Sequence, residues 1–170
     1  MVIYVGDARD VVRRICSDHS SNNVEGSSLR RHIAEYRRWQ LKKTKRPSGS
    51  TRVRIDLPDP LSAEREISYY IQSGQWRYVI CVTYGEANDF QWYAIEKLDS
   101  LLNVDRRQWN RLNQERYEVL LQRLLAQQFA DRQQILGRAT GPGVYVFYHD
   151  HAPNHRFKRT WAPRSGPDAA

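Results

Sequence analysis

The chain has little cysteine. Only Cys16 and Cys81 occur in 170 residues, and neither has a second cysteine or a close histidine at zinc-ligand spacing. This argues against a disulfide framework and against a cysteine-based zinc motif. Both thiols lie in apolar-patterned stretches and are expected to be reduced core residues, with a catalytic thiol as the remote alternative. Long apolar runs are lacking as well: no stretch of about eighteen apolar residues exists, so no membrane span is expected. The opening Met-Val-Ile-Tyr-Val-Gly has no basic region ahead of an apolar one and does not read as a signal peptide. There is no internal repeat. The expectation is one soluble, cytoplasmic domain of 20.1 kDa, long enough to bury a core without metal or disulfide staples.

Positive charge is what the chain has in excess. It carries 27 Lys+Arg against 19 Asp+Glu, a formal charge of +8 and a sequence pI of about 9.7. Such an excess attracts polyanions, nucleic acid first and an anionic membrane surface second; a solvated basic surface without a partner is the plainer alternative. The charge is concentrated in Arg30, Arg31, Arg37, Arg38, Lys42, Lys43, Lys45, Arg46, Arg52 and Arg54, with Glu35 the one acid in that span. The segment is expected to clamp a nucleic-acid backbone in a salt-dependent, largely sequence-blind way. Tyr36 and Trp39 lie within it; stacking on bases is one use for them, core packing the plainer one.

Periodicity outlines a small α/β domain. Val2–Val5 reads as a buried strand closed by Gly6. A helix over 8–18, with Asp7 as N-cap, presents Val11, Val12, Ile15 and Cys16 on one face. A second helix is expected from Ser27 or Ser28 to about Gln40, then a strand with one charged face over 52–57 and a short helix over 63–72. Trp76–Tyr84 is a near-continuous β-branched and aromatic run, which points to a central strand. Helices are expected over 86–102 and 113–136. After the Gly141-Pro142-Gly143 break, Val144–Tyr148 is another strand, and residues 149–170 are expected to be a flexible tail.

Three short motifs point to a reaction. Tyr4-Val5-Gly6 ends a strand, and Arg14 stands almost three helical turns farther on, so both can face one cleft. Glu96 sits mid-helix after the expected central strand, with Trp109-Asn110 following. Gly143-Val144-Tyr145 opens a strand near the C-terminus. Together these resemble the GIY-YIG nuclease superfamily in a circularly permuted order, with the Gly-Val-Tyr strand last in the chain and pairing antiparallel to Val2–Val5 in cis or, by strand exchange, in trans. The resemblance touches residues 2–40, 76–110 and 143–148. It implies a mostly antiparallel sheet of about three strands flanked by helices. A single domain would occupy 1–148, with a basic insertion at 41–75 and a long connecting helix at 113–136.

The resemblance also implies metal-dependent endonuclease activity on double-stranded DNA. Tyr4, or His19 through a water, would help deprotonate the attacking water, and Tyr145 would hydrogen-bond around it. Arg14 would offset charge on the phosphorane-like transition state. Glu96 would hold Mg²⁺ (or Mn²⁺), a hard ion content with one or two carboxylates. Asn110 would be a structural or phosphate contact. One position departs from the family pattern: four residues after the helical arginine, where histidine or tyrosine is usual, stands Asp18, with His19 beside it. Restriction, mobile-element and repair nucleases fit equally. The rival expectations are a non-catalytic nucleic-acid-binding module and a protein that dimerises through the leucine stripe of helix 113–136. A metal cluster at His149, His151 and His155 is a further alternative.

Overall fold

The computed structural model describes residues 1–153. A three-stranded, wholly antiparallel sheet is ordered β1 (Val2–Ala8), β5 (Gly143–Tyr148), β4 (Gln75–Ile80). The strand from the far end of the chain is therefore central. It pairs with β1 within the same molecule, Gly6 opposite Tyr145 and Ala8 opposite Gly143. On its other side Tyr78 stands opposite Tyr145. Both faces of β5 are covered, which accounts for its unbroken apolar run. Tyr145 and Phe147 join one core, whereas Val144 and Val146 join the other. Gly143 is required by contact, since a Cβ there would overlap the Val79 carbonyl of the neighbouring strand.

The first core lies beneath α1 (Val11–Arg13) and its π-helical continuation Arg14–Asp18, α2 (Ser28–Tyr36) and α3 (Pro60–Gln72). A separate two-stranded ribbon, β2 (Leu41–Lys45) with β3 (Thr51–Ile55), is rooted in that core through Val53 and Ile55. The second core lies under α4 (Tyr84–Leu98) and α5 (Gln114–Ala126).

Several boundaries differ from expectation for identifiable reasons. β1 runs on through Ala8, so Asp10 rather than Asp7 caps the helix, accepting from the Arg13 N–H at 2.8 Å. The helix then widens: His19 N–H bonds the Arg14 carbonyl, five residues back. α2 stops at Tyr36, and Arg38 turns with φ 61°; the chain after it forms β2, a strand that periodicity did not disclose. β4 is an edge strand, not a central one. Its outer edge is partly closed by Ala130, which exchanges both backbone hydrogen bonds with Trp76. That exchange also explains why no helix spans 113–136. A 3₁₀ turn (Arg111–Asn113) precedes α5, Gln127 is extended, and the capping box of Asp131 and Gln134 starts a separate short α6 (Arg132–Ile135).

The expected tail begins with ordered chain. His149 is 7% exposed and stacks on Tyr70 at 4.2 Å. Its Nε2 lies 3.0 Å from Ser73 Oγ, and its Nδ1 accepts from the His151 N–H. His155 and the rest of the expected tail lie outside the described residues. Both cysteines are free and buried, and burial pushes the Cys81 thiol up to about 12. Among the described residues no helix is long and apolar enough to cross a membrane.

Candidate active site

The β1–β5 ladder brings the two motif tyrosines together, with ring centroids 6.3 Å apart. The Tyr145 hydroxyl meets His19 Nε2 at 2.7 Å, and His19 Nδ1 meets Ser27 Oγ at 2.6 Å. The His19 ring stacks on Trp76 at 5.8 Å and is fully buried. The π-turn explains how His19 comes to be there: adding a residue to the turn lets it enter the interior while Asp18 stays beside Arg14. Ser27 also caps α2, its Oγ accepting from the Arg30 N–H. Tyr4 Oη lies 3.0 Å from Ser28 Oγ.

The electrostatics of this buried chain are one-sided. Burial raises Tyr4 and holds Tyr145 well above the ordinary phenol value. Burial, reinforced by the Arg14 and Arg30 charges, pushes His19 down to about 3. At neutral pH both phenols are protonated, and the imidazole, although uncharged, is a weak proton acceptor with its value held near 3, so none of the three is a ready-made base. Arg14 is the accessible member, with its side chain 32% exposed. Its Nη1 donates to Asp18 Oδ2 at 3.2 Å and to the Gly26 carbonyl at 3.3 Å. Arg31, half-buried, acts on the Tyr4 phenol from the α2 side. Asp7 acts electrostatically on Tyr4 and Tyr145, and its Oδ2 accepts from Asn88 Nδ2 at 3.0 Å.

Tyr4, Arg14, His19 and Tyr145 therefore form one cluster, and Asp7, Asp18, Ser27 and Ser28 belong to it as well. In the sequence Asp7 has the place of a cap, the serines that of a helix start, and Asp18 that of a departure from the family pattern. Glu96 has a different set of partners. Its Oε2 accepts from Trp109 Nε1 at 2.8 Å and lies 3.5 Å from Arg111 Nη2, and Lys97 Nζ is 3.7 Å from its Oε1. The Trp109 indole holds its carboxyl below the usual carboxylate range, with the two cations adding to the effect. The Glu96 carboxylate, 40% exposed, thus lies between an indole N–H and two exposed cations, and none of these contacts leads to the tyrosines. Among the described residues no three His, Cys, Asp or Glu side chains group to hold a metal.

Asn110 is likewise placed away from the cluster. Its Oδ1 accepts from the Leu112 N–H and its own N–H donates to Asp89, beside an open hollow of about 470 Å³ that Glu86, Arg116 and Tyr117 also line. The asparagine that does close a loop at the site is Asn103. Its Oδ1 accepts from Val5 N–H at 2.7 Å and its Nδ2 donates to Val5 O at 2.9 Å, which satisfies the free edge of β1.

Comparison with protein-family models, curated proteins and solved structures returns no match.

The basic segment divides. Arg30 is not a surface cation: it is fully buried, its guanidinium bound to Glu64 Oε2 at 2.6 Å and to Ser68 Oγ and the His19 carbonyl. Arg37 pairs with Glu66 and lies over Trp39, and Arg46 pairs with Glu25. Tyr36 and Trp39 pack against the first core. Arg38, Lys42, Lys43, Lys45, Arg52 and Arg54 are exposed. Of the leucine stripe, Tyr117, Leu120 and Leu124 are buried in the second core and Leu121 packs against it, whereas Leu125 and Phe129 are exposed.

Proposed function

We propose that the chain is an endonuclease that hydrolyses phosphodiester bonds in DNA at the Tyr4, Arg14, Tyr145 cluster, as the GIY-YIG resemblance implies. The observation that carries this reading is the antiparallel pairing of β1 with β5, which puts the tyrosines of two distant motifs and the half-exposed Arg14 in one place.

The role of each side chain follows from its state. A phosphate entering beside Arg14 takes over the hydrogen bonds that Nη1 now gives to Asp18 and the Gly26 carbonyl, and the planar guanidinium then offsets the charge that develops on the reacting phosphate. Losing that partner frees the Asp18 carboxylate to accept a proton from the attacking water. The new P–O bond forms from water, the bond to the sugar oxygen breaks, and that oxygen is protonated from solvent. Tyr4 and Tyr145 remain protonated donors, and His19, bonded to both Ser27 and Tyr145, fixes the Tyr145 phenol instead of meeting water itself. No step passes through a metal at Glu96.

The test is incubation of supercoiled plasmid with the protein, with and without Mg²⁺ or Mn²⁺. Arg14→Ala and Asp18→Asn are each expected to slow nicking by about 100-fold or more, with Asp18→Asn still binding DNA. Absence of cutting by the wild type under all ionic conditions sinks the reading. It leaves the alternative that the near-complete burial of Tyr145 and His19 favours, a DNA-binding module that keeps the fold without cutting.

A further inference from the structure

The β2–β3 ribbon stands apart from the main sheet, and its two faces differ in kind. The register pairs Lys43 with Val53 and Leu41 with Ile55 on one face, and Lys42 with Arg54 and Thr44 with Arg52 on the other. Val53 and Ile55 are 8% and 3% exposed and tie the first face to the core. The second face therefore points away from the protein, and all four of its residues are exposed. Lys42 and Arg54 are directly opposite like charges, an arrangement that weakens a ladder unless an anion lies over it. Among the described residues neither they nor Arg52 has an ion-pair partner. The nearby acids are at the ends: Glu25 is taken by Arg46 near the turn, and Asp56 stands at the root, where its N–H bonds the Gln40 carbonyl.

We propose that this outward face enters the major groove of duplex DNA and reads guanine through Arg52 and Arg54. Shape selects the groove. Two strands about 4.8 Å apart and roughly 17 Å long fit a B-form major groove about 12 Å wide, whereas the minor groove is only about 6 Å wide. The deep, narrow major groove of an RNA duplex does not admit such a ribbon. Side-chain chemistry selects the contacts: arginine bonds guanine O6 and N7 together, and the Thr44 methyl suits the thymine methyl. Lys43 and Lys45, on the core-facing side of the ribbon but exposed, are placed for the flanking phosphates. The ribbon thus supplies sequence preference, where the basic segment as a whole had implied only a sequence-blind clamp. The proposal rests on the nucleic-acid part of the proposed function and is independent of cleavage.

The experiment uses the full chain in EDTA. Duplexes enriched by binding from a random pool are resynthesised with 7-deazaguanine, which lacks the N7 acceptor, and as RNA of the same sequence. Binding is read by fluorescence anisotropy, and matched thermal melts confirm that each variant is folded. The wild type is expected to lose about tenfold on the 7-deazaguanine duplex and to bind the RNA duplex more weakly still. Arg52→Gln and Arg54→Gln should each narrow the difference between the two DNA duplexes, while Lys43→Ala and Lys45→Ala weaken both equally. Equal wild-type affinity for both DNA duplexes, or a pool that does not converge, overturns the proposal. Guanine-selective binding here together with no cutting in the plasmid test under any ionic condition leaves it standing and removes only the nuclease reading; no binding to any nucleic acid removes both.

Discussion

The phenol of Tyr145 lies directly against the Cα of Gly6, its partner across the β1–β5 ladder. A methyl group at Gly6 would overlap the Tyr145 oxygen and come within 2.8 Å of the Tyr4 ring. The glycine of one motif thus makes room for the tyrosine of the other. Gly6→Ala is expected to destabilise the fold by about 1–3 kcal/mol through overpacking, measured by urea denaturation. If Tyr145 positions substrate, nicking should fall well beyond what the lost folded fraction explains.

Arg30 gives a prediction of the opposite kind. It belongs to the basic segment but is spent inside the protein on Glu64. Glu64→Ala leaves a buried guanidinium unpaired and should cost about 3–5 kcal/mol, whereas Lys42→Ala should leave the melting temperature nearly unchanged. The reverse holds for DNA: the salt dependence of binding should flatten in Lys42→Ala and remain unchanged in Glu64→Gln, provided that variant folds.

Acid should destabilise the protein before its carboxylates titrate. Folded His19 stays neutral down to about 3 against an ordinary value of 6.5. Above the ordinary value both states are neutral and the full stability is present. As pH falls below it, the unfolded chain binds a proton that the native state refuses, so stability drops until the folded value is passed. His149 is shifted in the same direction. The melting temperature should fall between pH 6.5 and about 4.5, and the slope should be shallower in His19→Gln than in wild type, with His149→Gln as the parallel control. An unchanged slope in both variants would contradict the buried neutral imidazoles.

The two asparagines should separate by stability. Asn103→Ala leaves the Val5 N–H without its side-chain partner and the Val5 carbonyl with only Gln91 Nε2 at 3.4 Å, and is expected to cost about 1–3 kcal/mol. Asn110→Ala removes a cap from a single 3₁₀ turn and should cost about 1 kcal/mol or less. Differential scanning calorimetry on the two variants decides this.

The strands of the main sheet were legible because their composition is shaped by burial on both faces, and β5 could be placed beside β1 because each carries a motif glycine and tyrosine. What escaped was set by contacts distant in sequence. Nothing in Gln127–Ala130 announces that this stretch must leave its helix to meet Trp76. The π-turn depends on His19 finding Ser27 and Tyr145. The burial of Arg30 depends on Glu64, 34 positions away. Glu96, mid-helix, and Asn110, closing a short loop, have their roles from the resemblance, which does not record what either side chain meets; Asp18 meets Arg14 at ordinary i,i+4 spacing, but Asp7 acts on the tyrosines through contacts that spacing does not encode.

The end of β1 beside the end of β5 also bears on how the protein reaches its structure. The Met1 amino group donates to the His149 carbonyl at 2.9 Å across 148 positions of sequence. The central ladder of the sheet thus closes a loop nearly as long as the described chain. Contacts so distant are the slow ones to form, because the entropy of closure is lost before the pairing compensates for it. β4 also cannot find its partner until β5 has been synthesised. A version with β5 moved ahead of β1 through a tight turn would make the same sheet from a local hairpin. It should fold faster while unfolding at a similar rate, and stopped-flow refolding would measure how much of the barrier comes from chain order alone.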